Sequence, residues 1–291
     1  MKLALCNEVL APLPFDAQCR MARALGYDGL EVAPYTVCED PQAMTVAQAQ
    51  ALRQVAADHG LEISGLHWLL VKPTGLSITH PDPAVRARTV AFMRHLCELC
   101  AAMGGRYLVH GSPGPRRVAP GSSHAQALAW ATEAWAQAGE AAADCGVTYC
   151  IEPLSRDQTE VVNTVAEAAA VVQAVGQTVG KAAGRVVERG ALRTMIDTSS
   201  AGLVETLPVP ELIAQWLPSG LVAHVQLNDP NRRAPGQGEM AFGPVLAALQ
   251  RGGWSQWVAV EPFDYVPDGP GCAAWSAGYL RGLQQSLSAP A

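Results

Sequence analysis

Four polar residues, Glu152, Asp197, Gln226 and Glu261, each end a short apolar run. They stand in Tyr149-Cys150-Ile151-Glu152, Thr194-Met195-Ile196-Asp197, Val222-Ala223-His224-Val225-Gln226 and Trp257-Val258-Ala259-Val260-Glu261. From 152 to 197, 226 and 261 the intervals are 45, 29 and 35 residues, against the ~30 residues of one strand–helix unit in a parallel barrel. Gly176 to Arg193 reads as an insertion that lengthens the first interval. Burying a carboxylate costs several kcal/mol unless a cation or hydrogen bonds compensate. One such residue alone is as readily a polar rim as a site. Four on consecutive strands point to a metal site, because oxygen donors at neighbouring strand ends converge on one point. Oxygen ligation favours Mn²⁺ or Mg²⁺, one per chain, over structural zinc, which prefers Cys and His.

The elements that must position these residues alternate from end to end. Strand-like runs at Lys2–Cys6, Gly29–Ala33, Ile63–His67, Arg106–His110, Val147–Glu152, Arg193–Asp197, Leu221–Gln226 and Trp257–Glu261 are separated by helical patterns. The helices expected are Asp16–Leu25, Thr45–His59, Pro83–Met103 with Asp82 as N-cap, Ser123–Cys145, Val165–Val175, Val209–Trp216, Phe242–Arg251 and Cys272–Ser288. Such alternation is how a parallel sheet with crossover helices reads. Eight repeats of it predict an α/β fold, a single (β/α)₈ TIM barrel filling residues 1–291 as one domain. No G-x-G-x-x-G follows the first strand, so the dinucleotide-binding alternative loses its main support. The Gly/Pro-rich loops His110–Gly121 and Pro230–Gly238 follow strands four and seven, on the face where such barrels do chemistry.

The 291 residues are 49% apolar and 16% charged, with net charge −6. A sizeable core is available, and the basic footprint of nucleic-acid or anionic-membrane binding is missing. Neither partner is expected, and cytoplasm is the default location. Eight cysteines in so long a chain do not make a disulfide framework. Cys97 and Cys100 have CxxC spacing inside a helical stretch, without a second pair, and are expected to be buried free thiols. Oligomeric state stays open, a homo-oligomer included.

Three segments carry a family resemblance: Glu152-Pro153-Leu154-Ser155-Arg156, the loop Asn228-Asp229-Pro230-Asn231-Arg232-Arg233-Ala234-Pro235-Gly236-Gln237-Gly238, and Gly252-Gly253-Trp254 with Val260-Glu261-Pro262-Phe263. Through most of its length the chain resembles the xylose isomerase-like TIM barrels, which include ketose 3-epimerases, hydroxypyruvate isomerases and family-2 AP endonucleases. In ketose 3-epimerases the matching positions supply Glu, Asp, His and Glu to Mn²⁺ or Mg²⁺. The two glutamates double as acid–base pair, and an Arg at the position of Arg232 contacts the sugar. Here Gln226 stands at the metal His, as in the hydroxypyruvate isomerase branch, and its amide oxygen is the expected ligand. His224 is expected on the other face of the strand. Ser200 and Gln158 replace a His and a Glu that contact substrate in the epimerases.

The expected reaction is isomerisation or epimerisation of a small ketose or hydroxy-carbonyl compound. The ion acts as a Lewis acid, Glu152 and Glu261 move the proton, and an enediolate forms between. Which glutamate starts is open. A dehydratase using the same base is the alternative within enzymes, and a non-catalytic carbohydrate-binding barrel the alternative outside them. A nuclease is disfavoured by the acidic charge and the missing His ligands. His67 and His110 end strands three and four and are candidates for substrate contact, with satisfied structural histidines as the even alternative. Glu31 is read as a residue behind the ligands or at the substrate. Trp68, Trp254 and Trp257 are expected to pack. One of Arg232 and Arg233 should reach the substrate, and the other should be solvated or paired.

Overall fold

Eight short apolar runs lie side by side, each parallel to the one before, and the last pairs with the first. The computed structural model describes residues 1–183 and 191–288. Its strands are β1 (Lys2–Cys6), β2 (Gly29–Val32), β3 (Glu62–Leu66), β4 (Tyr107–His110), β5 (Thr148–Ile151), β6 (Leu192–Asp197), β7 (Val222–Leu227) and β8 (Trp257–Val260). They form a closed barrel in chain order. Closure runs through Lys2 to Leu5 against Trp257 to Val260. Both faces of the strands are covered, by lumen side chains and by helices, which is why they read as apolar runs rather than alternating ones.

The helices are α1 (Phe15–Ala24), α2 (Pro34–Val37), α3 (Val46–Asp58), α4 (Pro83–Ala102), α5 (His124–Cys145), α6 (Val165–Ala183), α7 (Thr198–Val204), α8 (Val209–Trp216), α9 (Phe242–Arg251) and α10 (Gly269–Ser288). Several start where polar caps dictate. Thr45 and Gln48 form a reciprocal capping box at α3, and Ser123 with Gln126 does the same at α5. Asp82 caps α4 by accepting from the Ala84 N–H at 2.8 Å. Such side chains satisfy first-turn donors that have no partner inside the helix. Helices α8 and α9 match the sequence expectation residue for residue. α6 is longer than expected and takes in the first part of the segment read as an insertion; residues 184–190 lie outside the described ones. Helices α2 and α7 were not anticipated, being too short to show a helical period.

Between sheet and helices lie fully buried Tyr27, Trp135, Tyr149 and Phe242. The Tyr27 hydroxyl donates to the Ala273 carbonyl at 2.8 Å, tying the second strand's approach to the last helix. Cys97 and Cys100 are buried free thiols, as their helical setting predicts. Burial pushes Cys97 up to about 12, so it carries no thiolate near neutral pH. Among the described residues no helix is long and apolar enough to cross a membrane.

One glycine makes room for the site. A Cβ on Gly65 in β3 would lie 2.5 Å from the Tyr107 carbonyl oxygen and 2.6 Å from its ring. The Tyr107 ring occupies that space and sends its hydroxyl to Glu31 in the lumen. Gly65→Ala should therefore destabilise by about 1–3 kcal/mol through overpacking, read as a lower midpoint in urea unfolding. An unchanged midpoint would show that Tyr107 is free to move.

Candidate active site

The strand ends bring three carboxylates together. Glu152 directly follows β5, Glu261 directly follows β8, and Asp197 closes β6. Each offers one oxygen, and these oxygens lie within 4.8 Å of one another. All three side chains are buried. Local structure fixes each. Asp197 is the N-cap of α7 and takes the Ser200 N–H on Oδ1 at 2.6 Å, leaving Oδ2 buried without a partner. The Glu152 carboxylate passes over Gly111, where a Cβ would come within 1.6 Å of Oε2. The backbone of Glu152 is held by fully buried Arg116, whose Nη2 donates to its carbonyl at 2.6 Å. Asn228 Nδ2 donates to the Glu261 carbonyl at 2.8 Å.

Electrostatics make this an unfavourable place for three anions. Burial, then the charges of Glu261 and Asp197, push the Glu152 carboxyl well above its ordinary range. Burial raises Asp197 to about 6 against the hydrogen bonds from Ser200. Burial likewise raises Glu261 to about 8, although His67 opposes the shift. His67 Nδ1 lies 2.8 Å from Glu261 Oε1, and Nε2 lies 2.9 Å from Glu8 Oε2. Burial would strip the proton from this imidazole, but Glu8 and Glu261 together raise it well above its ordinary value.

β7 supplies a different arrangement from the one expected. His224 and Gln226 are two residues apart on a strand, so they share a face, and both point into the lumen. The expectation of His224 on the opposite face is thereby corrected. His224 stacks on Tyr107 with ring centres 3.9 Å apart, and its Nε2 lies 2.8 Å from Glu31 Oε2. Gln226 Nε2 donates to Glu31 Oε1 at 2.7 Å, and Gln226 Oε1 is buried with no partner. Glu31 is fully buried, which alone would raise its pKa. The charge and contact of His224, with His67 and Tyr107, outweigh that and hold it near 2. β6 and β7 set Asp197 beside Gln226 in register.

The residues fit a hard divalent ion. Orphaned buried oxygens on Asp197 and Gln226, beside carboxylates with raised proton affinity, are what a cation would satisfy. The oxygen-only donor set suits Mg²⁺ or Mn²⁺.

Of the other candidates, Gln158, Ser200 and Arg232 line a cavity over Glu152, Asp197 and Glu261. Gln158 accepts from Ser155 Oγ at 2.8 Å. Arg232, at φ 67°, pairs with Asp157 at 2.6 Å, and Arg233 pairs with Asp264 at 2.7 Å. His67 and His110 are not among the cavity's lining residues. His67 sits behind Glu261. His110, also expected as a substrate contact, has its Nδ1 on the Trp135 indole N–H at 3.2 Å and 2.8 Å from the Tyr149 hydroxyl, toward α5, while its Nε2 is buried without a partner. A ring nitrogen that accepts from an indole is unprotonated, and burial with nearby Arg116 keeps His110 well below its ordinary pKa. Trp68 departs from the packing role expected of it. It lines the cavity and meets Phe263 edge-on at 5.8 Å, forming an apolar wall with Leu154 and Leu203. Glu8, Arg116 and Asn228 were given no role from the sequence. Arg116 sits in a Gly/Pro-rich stretch where only the fold reveals its burial.

Comparison with known proteins bears on the whole barrel. The chain is 27% identical to D-psicose 3-epimerase of Agrobacterium fabrum over 246 residues, 82% of this chain and 76% of that one. A solved structure of L-ribulose 3-epimerase superposes with TM-score 0.81 at 19% identity, covering 99% of this chain and 96% of the other. A D-psicose 3-epimerase structure determined in the presence of D-fructose gives TM-score 0.78 at 21% identity, covering 97% and 99%. These structural likenesses establish the shared fold. The profile of the xylose isomerase-like TIM barrel family matches residues 19–283, and with the closed eight-stranded barrel this makes the chain a member of that family.

Proposed function

We propose that this protein is a divalent-metal-dependent sugar epimerase or isomerase acting on a small, unphosphorylated ketose or hydroxy-carbonyl compound. The observation that carries the reading is the pair of buried glutamates, Glu152 and Glu261, meeting Asp197 under one cavity. Relatives named as ketose 3-epimerases support the same class. Glu152, Asp197, Glu261 and the Gln226 amide oxygen would hold the ion. When bound, Mn²⁺ or Mg²⁺ supplies Lewis-acid polarisation of a carbonyl and charge stabilisation for the substrate's enediolate.

The chain's own residues account for the proton. One glutamate removes it from the carbon beside the carbonyl, and the other returns one; epimerisation requires the return to come from the opposite face. The two are unlike in setting, which suits a pair with distinct roles. Glu261 leans on His67, whereas Glu152 sits over Gly111 with buried Arg116 behind its backbone. Gln158 and Ser200 offer neutral hydrogen-bonding groups to hydroxyls, and Trp68, Leu154, Leu203 and Phe263 give the cavity an apolar side. Arg232 is the one cation among the described lining residues, and Asp157 neutralises it, so the cavity suits an uncharged sugar rather than a phosphate ester.

Protonation gives the first expected outcome. Glu261 titrates near 8 in the folded, metal-free chain against 4.5 ordinarily, so its stabilising contribution is full below pH 4.5 and is lost as pH rises through about 8. Chelator-treated protein should lose thermal stability across that window, and Glu261→Gln should flatten the loss. Mn²⁺ must displace the same protons. Calorimetric titration at pH 7 in buffers of different ionisation enthalpy should therefore report proton release, and zero release would count against the ligand set.

Arg232→Ala should lower kcat/KM about tenfold or more while changing stability by less than about 1 kcal/mol, since its ion pair with Asp157 is exposed. Lost stability with unchanged kinetics would reverse that assignment. The function itself is tested by turnover of a panel of free ketoses and hydroxypyruvate in D₂O with Mn²⁺. Incorporation of one deuterium beside the carbonyl, without loss of water, is expected. A product lighter by one water would mean a dehydratase, and no conversion across the panel would favour a binding protein. Full activity in both Glu152→Gln and Glu261→Gln would remove the glutamates as bases.

A further inference from the structure

The lumen beneath the proposed ion holds a carboxylate that none of the reaction steps uses. Glu31 on β2 is fully buried and reaches across the barrel to β7, which is not a neighbour of β2 in the sheet. One of its oxygens lies 2.8 Å from His224 Nε2, and the Tyr107 hydroxyl donates to the same atom. The other accepts from Gln226 Nε2 at 2.7 Å. His224 and Gln226 thus hang from the two ends of one carboxylate, and Tyr107 braces it while stacking on His224.

A glutamine is an ambiguous ligand. Turned one way its side chain presents an oxygen to a cation, and turned the other way it presents an NH₂ group that cannot ligate one. Both Glu31 oxygens act as acceptors here, one from the Tyr107 hydroxyl and the other from Gln226 Nε2, so it is the amide nitrogen that faces the carboxylate. The amide oxygen is then left over, and in this structure it is buried and without a partner on the strand that sets Gln226 beside Asp197. We propose that Glu31 is a positioning residue that fixes the Gln226 amide by its nitrogen, so that the amide oxygen completes an all-oxygen donor set with Glu152, Asp197 and Glu261. This rests on the metal-dependent reading above and adds to it the device that makes Gln226 a ligand. A group orienting a metal ligand in this way is commonly worth about 10–100-fold in metal affinity.

The test is a double-mutant cycle on Mn²⁺ affinity, read by the EPR signal of the free ion, in wild type, Glu31→Ala, Gln226→Ala and the double variant. Glu31→Ala should weaken Mn²⁺ binding about 10–100-fold. In the Gln226→Ala background the same change should add less than about twofold, because Glu31 acts through that amide. Equal effects in both backgrounds, or unchanged affinity in Glu31→Ala whatever its thermal stability, would overturn the proposal. Wild-type protein that takes up no Mn²⁺ would instead remove the metal reading on which it rests. Should Glu31→Ala fail to fold, ¹⁵N spectra of the metal-free wild type decide. The Gln226 NH₂ pair, assigned by its loss in Gln226→Ala, should be protected from hydrogen exchange and should shift when Mg²⁺ is added. A freely exchanging pair, or one indifferent to Mg²⁺, would sink the idea.

Discussion

The cost of burying negative charge governs this barrel. Glu31, Glu152, Asp197 and Glu261 lie in or just above its lumen, away from water. Each must be matched by donors or by a cation, because desolvation otherwise costs several kcal/mol. The molecule meets that requirement differently at two depths. Glu31, deeper, accepts from Tyr107 and Gln226, lies 2.8 Å from His224 Nε2, and its proton affinity is lowered. Glu152, Asp197 and Glu261, at the strand ends, have too few donors, and their proton affinities rise. The carboxylates left short of donors at the strand ends create demand for a cation at the floor of the cavity.

That gradient connects parts that look unrelated along the chain. Gly65 leaves space for the Tyr107 ring, the ring carries the hydroxyl to Glu31, and Glu31 takes hold of β7. At the rim, Gly111 opens the path for the Glu152 side chain, while the start of α7 supplies the N–H that steadies Asp197. Small residues here are spaces shaped for a particular polar neighbour. Hence the lumen and the cavity floor behave as one packed unit.

Much of this was legible in the residues themselves. The strand count, the barrel and the convergence of Glu152, Asp197 and Glu261 follow from apolar runs that end in oxygen donors at intervals of about one strand–helix unit. Two helices were legible to the residue because their apolar faces and flanking Pro and Gly are clear. What escaped depends on pairs distant in sequence. His110 and His67 have the same appearance at a strand end, yet one turns toward α5 and the other toward Glu261, and only register and packing decide between them. Glu8 and Arg116 acquire meaning from partners 59 and 36 residues away (His67 and Glu152). The placing of His224 failed for a simpler reason: two residues apart on a strand means one shared face.

The helix starts of the scaffold have a consequence of their own. The capping boxes at α3 and α5 close with glutamine, Gln48 and Gln126, whereas at α6 Thr164 pairs with Glu167, whose Oε2 accepts from the Thr164 N–H at 3.3 Å. An amide has no proton to gain or lose in the range where the cavity carboxylates change charge. The outer ring of helices is therefore insulated at the starts of α3 and α5 from acidity that alters the centre. Acidity reaches the frame elsewhere, at α6 through Glu167 and at α7, where Asp197 is at once helix cap and site carboxylate.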